Sequence, residues 1–213
     1  MRKAVTHLKK SDPVMRGLIE RVGAYRMAYR EPTFHSLARA IAYQQLNGKA
    51  AATIFGRFTA LAGDPVTPLG ILKLTPEQLR AVGLSKQKSS YLVDMAKRTS
   101  RGELDFLRVP NMSDEEVIEH LTQVKGVGVW TAHMFLMFTL RRPNILPTGD
   151  FGIRMAMFRH YLDKKRARSS RSNRKRKIKL PSPAQMEKIA ECWAPYRSVA
   201  CWYLWRSLDV TTP

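Results

Sequence analysis

The stretch Leu121-Thr-Gln-Val-Lys-Gly-Val-Gly-Val-Trp-Thr-Ala132 is followed, fourteen residues later, by Leu146-Pro-Thr-Gly-Asp-Phe-Gly-Ile-Arg154. Gly126 and Gly128 flank Val127, an apolar residue that anchors a turn while glycine reaches φ > 0 at little cost. Val129 to Leu140 contains neither Pro nor Gly and predicts a buried helix. A tight glycine turn opening into a helix presents backbone N–H groups at a positive dipole end, a binding site for anions such as a phosphate. A plain helix–turn–helix connection would use the same glycines, so the turn by itself does not decide. In the second segment Pro147 to Asp150 predicts a turn, and Phe151 to Tyr161 carries Ile153, Met157, Phe158 and Tyr161 at helical spacing. Asp150 therefore stands at a helix start, where an N-cap is the ordinary role of aspartate.

Working outward, helix-start signals recur at Asp12-Pro13, Thr75-Pro76, Ser113 with Glu116, and Ser182-Pro183 with Gln185. No stretch alternates in the manner of a strand, so the expectation is an all-α chain. Its 213 residues suffice for a substantial core in one or two domains. The formal net charge is +20 and the isoelectric point near 10.5, which points to a polyanionic partner. Ten Lys or Arg and no acid fall in the run Lys164 to Lys179, KKRARSSRSNRKRKIK; without them the rest of the chain still carries +10. This run, an expected loop insertion over 164–180, suits a solvated loop, a non-specific DNA arm or a nuclear localisation signal. Neither a signal peptide nor a long apolar run is present, so no membrane partner is expected. Two cysteines, Cys192 and Cys201, are too few for a four-Cys iron–sulfur site and read as small buried hydrophobes; the five His show no ligand spacing.

The residues Leu121, Val124, Gly126, Val127, Gly128, Thr131 and Ala132 resemble the helix-hairpin-helix motif of DNA repair glycosylases. The closing segment Ser182 to Asp209, SPAQMEKIAECWAPYRSVACWYLWRSLD, resembles the last helices of the 3-methyladenine DNA glycosylase II (alkylpurine DNA glycosylase) family. The resemblance runs from about Phe34 to Asp209, apart from the basic run. It implies a two-lobed all-α fold with the active-site cleft between the lobes: a central helical barrel over 33–144 ending in the hairpin, and a second lobe from 1–32 plus 145–213. It makes Asp150 the catalytic carboxylate and gives backbone binding to Lys125, Gly126, Val127, Gly128 and Thr131. Lys125 stands where the family usually has proline. Base-pocket roles fall to Trp130, Trp205, Met134 and His133, while Trp193 and Trp202 are expected in the core. In FHSLARAIAYQQLNGKAAATIF, Gln44, Gln45 and Leu46 become the wedge that plugs the gap left by an extruded base, with Gln45 first choice. The resemblance also implies a monovalent cation on the carbonyls of Thr122, Val124 and Val127, and no other cofactor.

The implied activity is hydrolysis of the N-glycosidic bond of alkylated purines by base flipping, in base excision repair. Positive charge develops on the sugar, and one carboxylate stabilises it and orients water. Bifunctional relatives place an amine nucleophile two residues after the second hairpin glycine; here that residue is Trp130, so no strand-cleaving lyase step is expected. The expected partner is double-stranded DNA with damaged bases, the enzyme acting as a monomer in a bacterial cytoplasm and nucleoid or a eukaryotic nucleus. Two other readings fit the same motif: a non-catalytic helix-hairpin-helix DNA-binding protein, and a glycosylase for mismatched or oxidised bases.

Overall fold

The computed structural model describes residues 1–46, 48–163 and 179–209. Among them are twelve α-helices and no strand: α1 (Arg2–Ser11), α2 (Pro13–Val22), α3 (Phe34–Tyr43), α4 (Gly48–Ala62), α5 (Pro68–Leu72), α6 (Pro76–Ala81), α7 (Lys86–Ser100), α8 (Asp114–Thr122), α9 (Val129–Phe138), α10 (Phe151–Met157), α11 (Pro183–Ile189) and α12 (Arg197–Asp209). All but the last residue of the basic run at 164–179 lie outside the described residues. Each helix-start signal is used. Thr75 with Gln78, Ser113 with Glu116 and Ser182 with Gln185 form complete capping boxes, and Asp12 caps α2. Such caps satisfy the first orphan N–H groups and stabilise a helix by about 1 kcal/mol each.

The chain divides into two compact units. One spans Tyr29–Arg141; the other joins Met1–Ala28 to Arg142–Pro213. In the first, α3 packs on α4 and α7, α5 and α6 pack on α7, and α8 packs on α9. Leu37, Ile41, Phe58, Ile71, Leu92 and Leu121 are buried in this unit. The imidazoles serve as fixed acceptors here: His35 takes the Val66 N–H and His120 the Asp105 N–H, each at 3.0 Å. Burial lowers the pKa of His120, which suits an acceptor that must stay neutral.

In the second unit α12 packs on α2 and α10, and α1 on α2. Ser198, in α12, accepts the Ile145 N–H at 3.0 Å and donates to the Arg142 carbonyl at 2.7 Å, so α12 fixes the segment leading to Asp150. Trp193 and Trp202 are buried, as their core assignment predicts. Cys201 is buried too, whereas Cys192 lies at the surface, where its carbonyl meets His7 Nε2 at 3.1 Å. The helix expected from Phe151 to Tyr161 is α-helical only to Met157; Phe158–Leu162 continues as one wider π turn. That turn brings the Tyr161 hydroxyl to Asp12 Oδ2 at 2.7 Å, which a continuous α-helical register need not do.

Candidate active site

In the Tyr29–Arg141 unit, α8 ends at Thr122 and the chain turns through Val124 to Gly128 into α9. Val124 and Val127 are buried, and the Val127 N–H donates to the Val124 carbonyl at 3.0 Å, closing the hairpin. The two glycines differ. Gly126 sits at φ 77, and a Cβ there would lie 2.1 Å from the Tyr91 ring, so both backbone and packing demand glycine. Gly128 is extended (φ −98, ψ 176) and opens α9 as an N-cap with no side chain to cap it; a Cβ there would meet nothing within 4 Å. Its lack of a side chain has no internal reason and leaves the helix N-terminus open to close approach by a ligand. A Gly126→Ala variant is accordingly expected to displace Tyr91 and lose about 1–3 kcal/mol of stability, while Gly128→Ala stays within about 0.5 kcal/mol; chemical denaturation measures both.

Two helices hold the hairpin in place. Asp94 of α7 accepts the Lys125 backbone N–H at 2.9 Å and pairs with Arg98 at 3.2 Å through the same Oδ2. A proline at 125 would have no N–H to give, so Asp94 matches the lysine in this chain. From the end of α3, Gln44 donates Nε2 to the Gly126 carbonyl at 2.9 Å. Neither Asp94, Tyr91 nor this bond announces itself in a local motif. The lysine at 125 signals that an acceptor is needed, without saying which.

α9 is apolar all round and mostly buried, yet Val129 and Trp130 at its start are 52% and 46% exposed. Large apolar side chains at the mouth of a hollow mark a ligand surface more than a packing need. Trp130 and Met134, one turn apart, line a cavity of about 740 Å³ together with Tyr43, Gln44, Gln45 and Lys88. Thr131 is buried and also lines it. His133 does not line it; burial lowers the pKa of its imidazole, against the charge of Asp114. Of the three residues expected at the wedge, Gln45 and Leu46 are exposed, and Gln45 has φ 56, a left-handed value that costs a residue other than glycine or asparagine about 1 kcal/mol or more.

In the other unit Asp150 is 8% exposed and caps α10: its Oδ1 accepts the Ile153 N–H at 2.8 Å. The same oxygen accepts Trp205 Nε1 at 2.8 Å from α12. Trp205 thus orients the carboxylate, a contact not foreseen from its place in an aromatic-rich helix. A Cβ on Gly152 would come within 3.2 Å of Asp150 Oδ1 and 3.0 Å of Trp205 Cδ1. Glycine at 152 therefore leaves room for the bond, a second requirement not visible in the sequence. Nearby, burial and the charge of Asp150 both raise the pKa of the Cys201 thiol, keeping it protonated. Phe151, next in sequence, is 65% exposed.

Residues 38–183 match the model of the HhH-GPD superfamily of base excision DNA repair proteins. The chain belongs to this superfamily. Within it, the chain is 37% identical to DNA-3-methyladenine glycosylase 1 of Schizosaccharomyces pombe, over 99% of this chain and 90% of that protein. It is also 33% identical to the DNA-3-methyladenine glycosylase of Saccharomyces cerevisiae, over 85% of this chain and 69% of that protein. Among solved structures, the S. pombe 3-methyladenine DNA glycosylase in complex with abasic DNA aligns with TM-score 0.80 and 35% identity, covering 98% of this chain and 97% of that one. The HhH-GPD fold accounts for the all-α architecture, with its hairpin between α8 and α9.

Proposed function

We propose that this chain is a monofunctional DNA glycosylase of the DNA-3-methyladenine glycosylase type, which hydrolyses the N-glycosidic bond of alkylated purines in base excision repair. The observation that carries the reading is Asp150: a nearly buried carboxylate in an HhH-GPD chain, held through one oxygen by two N–H donors. A carboxylate fixed in this way needs no reorganisation when positive charge builds on the sugar, and its charge acts where little water screens it. An alkylated purine is already cationic and leaves easily, so the reaction asks for little general-acid help. Trp130, exposed above Met134, offers an indole face to such a base; stacking on a cation contributes about 0.5–2 kcal/mol beyond burial of area.

The open N-terminus of α9 at Gly128, with Lys125 beside it, is the proposed grip on a DNA phosphate, and the Gln45 turn the proposed wedge. A monovalent cation at the hairpin would rest on the carbonyls of Thr122, Val124 and Val127. The Thr122 carbonyl belongs to the last residue of α8, at the negative end of the helix, and the Val124 carbonyl keeps a second lone pair beyond the Val127 bond. With Val127 these supply hard oxygen donors, which suit such an ion; bound there it would neutralise charge beside a phosphate. The chain acts where cellular DNA is, in a nucleoid or a nucleus, and among the described residues no helix is long and apolar enough to cross a membrane.

The test is release of 7-methylguanine and 3-methyladenine from methylated duplex DNA by the wild type and by Asp150→Asn, with borohydride added in a parallel reaction. Base release by the wild type alone, with no covalent adduct trapped, is expected. Equal release by both proteins removes the catalytic role of Asp150, and a trapped adduct removes the hydrolytic assignment given to Trp130.

A further inference from the structure

α3 ends at Tyr43, and the Leu46 N–H donates back to the Tyr43 carbonyl at 3.3 Å, forming a tight turn through Gln44 (φ −52, ψ 134) and Gln45 (φ 56). The Gln44 dihedrals and the positive φ of Gln45 match a type II turn, whose second central position ordinarily takes Gly or Asn. Something outside the turn must over-determine a glutamine there. Two long-range bonds do so. The Gln44 side chain reaches across 82 residues to donate Nε2 to the Gly126 carbonyl at 2.9 Å, so the first residue of the turn is fastened to the hairpin. Lys88 of α7 donates Nζ to the Ala42 carbonyl at 2.8 Å, near the C-terminal end of α3 where helix carbonyls lack intrahelical partners and the dipole favours a cation. Burial lowers the Lys88 pKa, yet the ammonium remains the natural partner of that carbonyl. Gln45 and Leu46, just beyond the anchored residues Ala42 and Gln44, stay exposed.

We infer that Gln44 and Lys88 are positioning residues: Gln44 fastens the Gln45 turn to the phosphate-gripping hairpin and Lys88 fastens the end of α3 to α7, so that grip and wedge meet the duplex as one rigid piece; this rests on the glycosylase reading above. Gln44 is thereby removed from the wedge itself, since its amide is committed to Gly126. A wedge does its work when the lesion base leaves the stack. A loop that had to order itself at that moment would add its entropy to the cost of extrusion, and one already held in place would not. Loss of an anchor should therefore be felt in proportion to how hard the base is to extrude.

The experiment measures single-turnover release of 7-methylguanine from two duplexes, one with cytosine and one with thymine opposite the lesion, by the full chain and by Gln44→Leu, Lys88→Met and Lys88→Arg. Extrusion is costlier from the paired duplex. With cytosine opposite, Gln44→Leu and Lys88→Met are each expected to release base about 10-fold more slowly, and with thymine the loss shrinks to about 2-fold. Lys88→Arg keeps a cationic donor and should stay within about 2-fold of wild type on both. An equal loss on the two duplexes, or no loss on either, overturns the inference. If Gln44→Leu fails to fold, Lys88→Met, from a different helix, decides on the same ratio. A wild type that releases base from neither duplex overturns the glycosylase reading itself, and is told apart by needing no variant.

Discussion

Asp150→Asn lowers base release from alkylated duplex DNA by about 10³-fold, equivalent to about 4 kcal/mol of transition-state stabilisation, while affinity for the duplex stays within about 3-fold. The substitution is chosen for what it keeps. The amide oxygen can still accept the Ile153 N–H and Trp205 Nε1, so the N-cap of α10 and its link to α12 survive. The negative charge is lost, with the second accepting oxygen, and the charge is the property the developing oxocarbenium ion needs. Asp150→Ala would mix two effects, because it also removes a cap contributing about 1 kcal/mol. Single-turnover base release with a parallel binding titration separates chemistry from affinity. A loss of less than about 10-fold would mean that the carboxylate serves the helix and not the sugar.

How far the sequence told this in advance depends on whether the physics involved is local. Helix starts are local: Ser113 with Glu116, or Ser182 with Gln185, bond within four residues, and their boxes form as their spacing predicts. The hairpin is local as well, and Gly126 is at positive φ. Gly128 is not; it is extended, and only its open surroundings distinguish the two glycines. What fixes the functional residues within each unit is long-range. Trp205 lies 55 residues from Asp150, Gln44 lies 82 from Gly126, and Asp94 lies 31 from Lys125. No periodicity encodes such pairs, so an aromatic-rich helix was legible as aromatic but not as the source of the donor to Asp150. The end of the α10 helix departs from the apolar spacing for a related reason. Tyr161 continues the apolar pattern at helical spacing, but its hydroxyl is drawn to a carboxylate 149 residues away, in a π turn.

That carboxylate carries the largest expected effect on stability. Asp12→Ala should lower the unfolding free energy by about 3–5 kcal/mol, a drop in Tm of about 10 °C for a chain of this size. Asp12 is nearly buried and accepts four donors: the N–H groups of Val14 and Met15 at 2.8 and 3.1 Å, the Tyr161 hydroxyl at 2.7 Å and Trp193 Nε1 at 2.7 Å. Alanine removes the cap of α2 and orphans the last two donors in a region where Trp193 has no solvent exposure at all. Burial and the charge of Asp12 raise the Tyr161 pKa, so the phenol stays a donor throughout the accessible pH range. Asn is no remedy. Its amide has one accepting oxygen in place of two, and its NH₂ would face the indole N–H, a group that can only donate. Tyr161→Phe, by contrast, removes one donor and leaves the carboxylate three, so it should cost about 1 kcal/mol. Urea unfolding of the three variants orders them: Ala and Asn together at the low end, Phe near wild type. If Asp12→Ala lost no more than Tyr161→Phe, the carboxylate would be a simple N-cap, and the joining of α2 to the π turn and to Trp193 would have to come from packing alone.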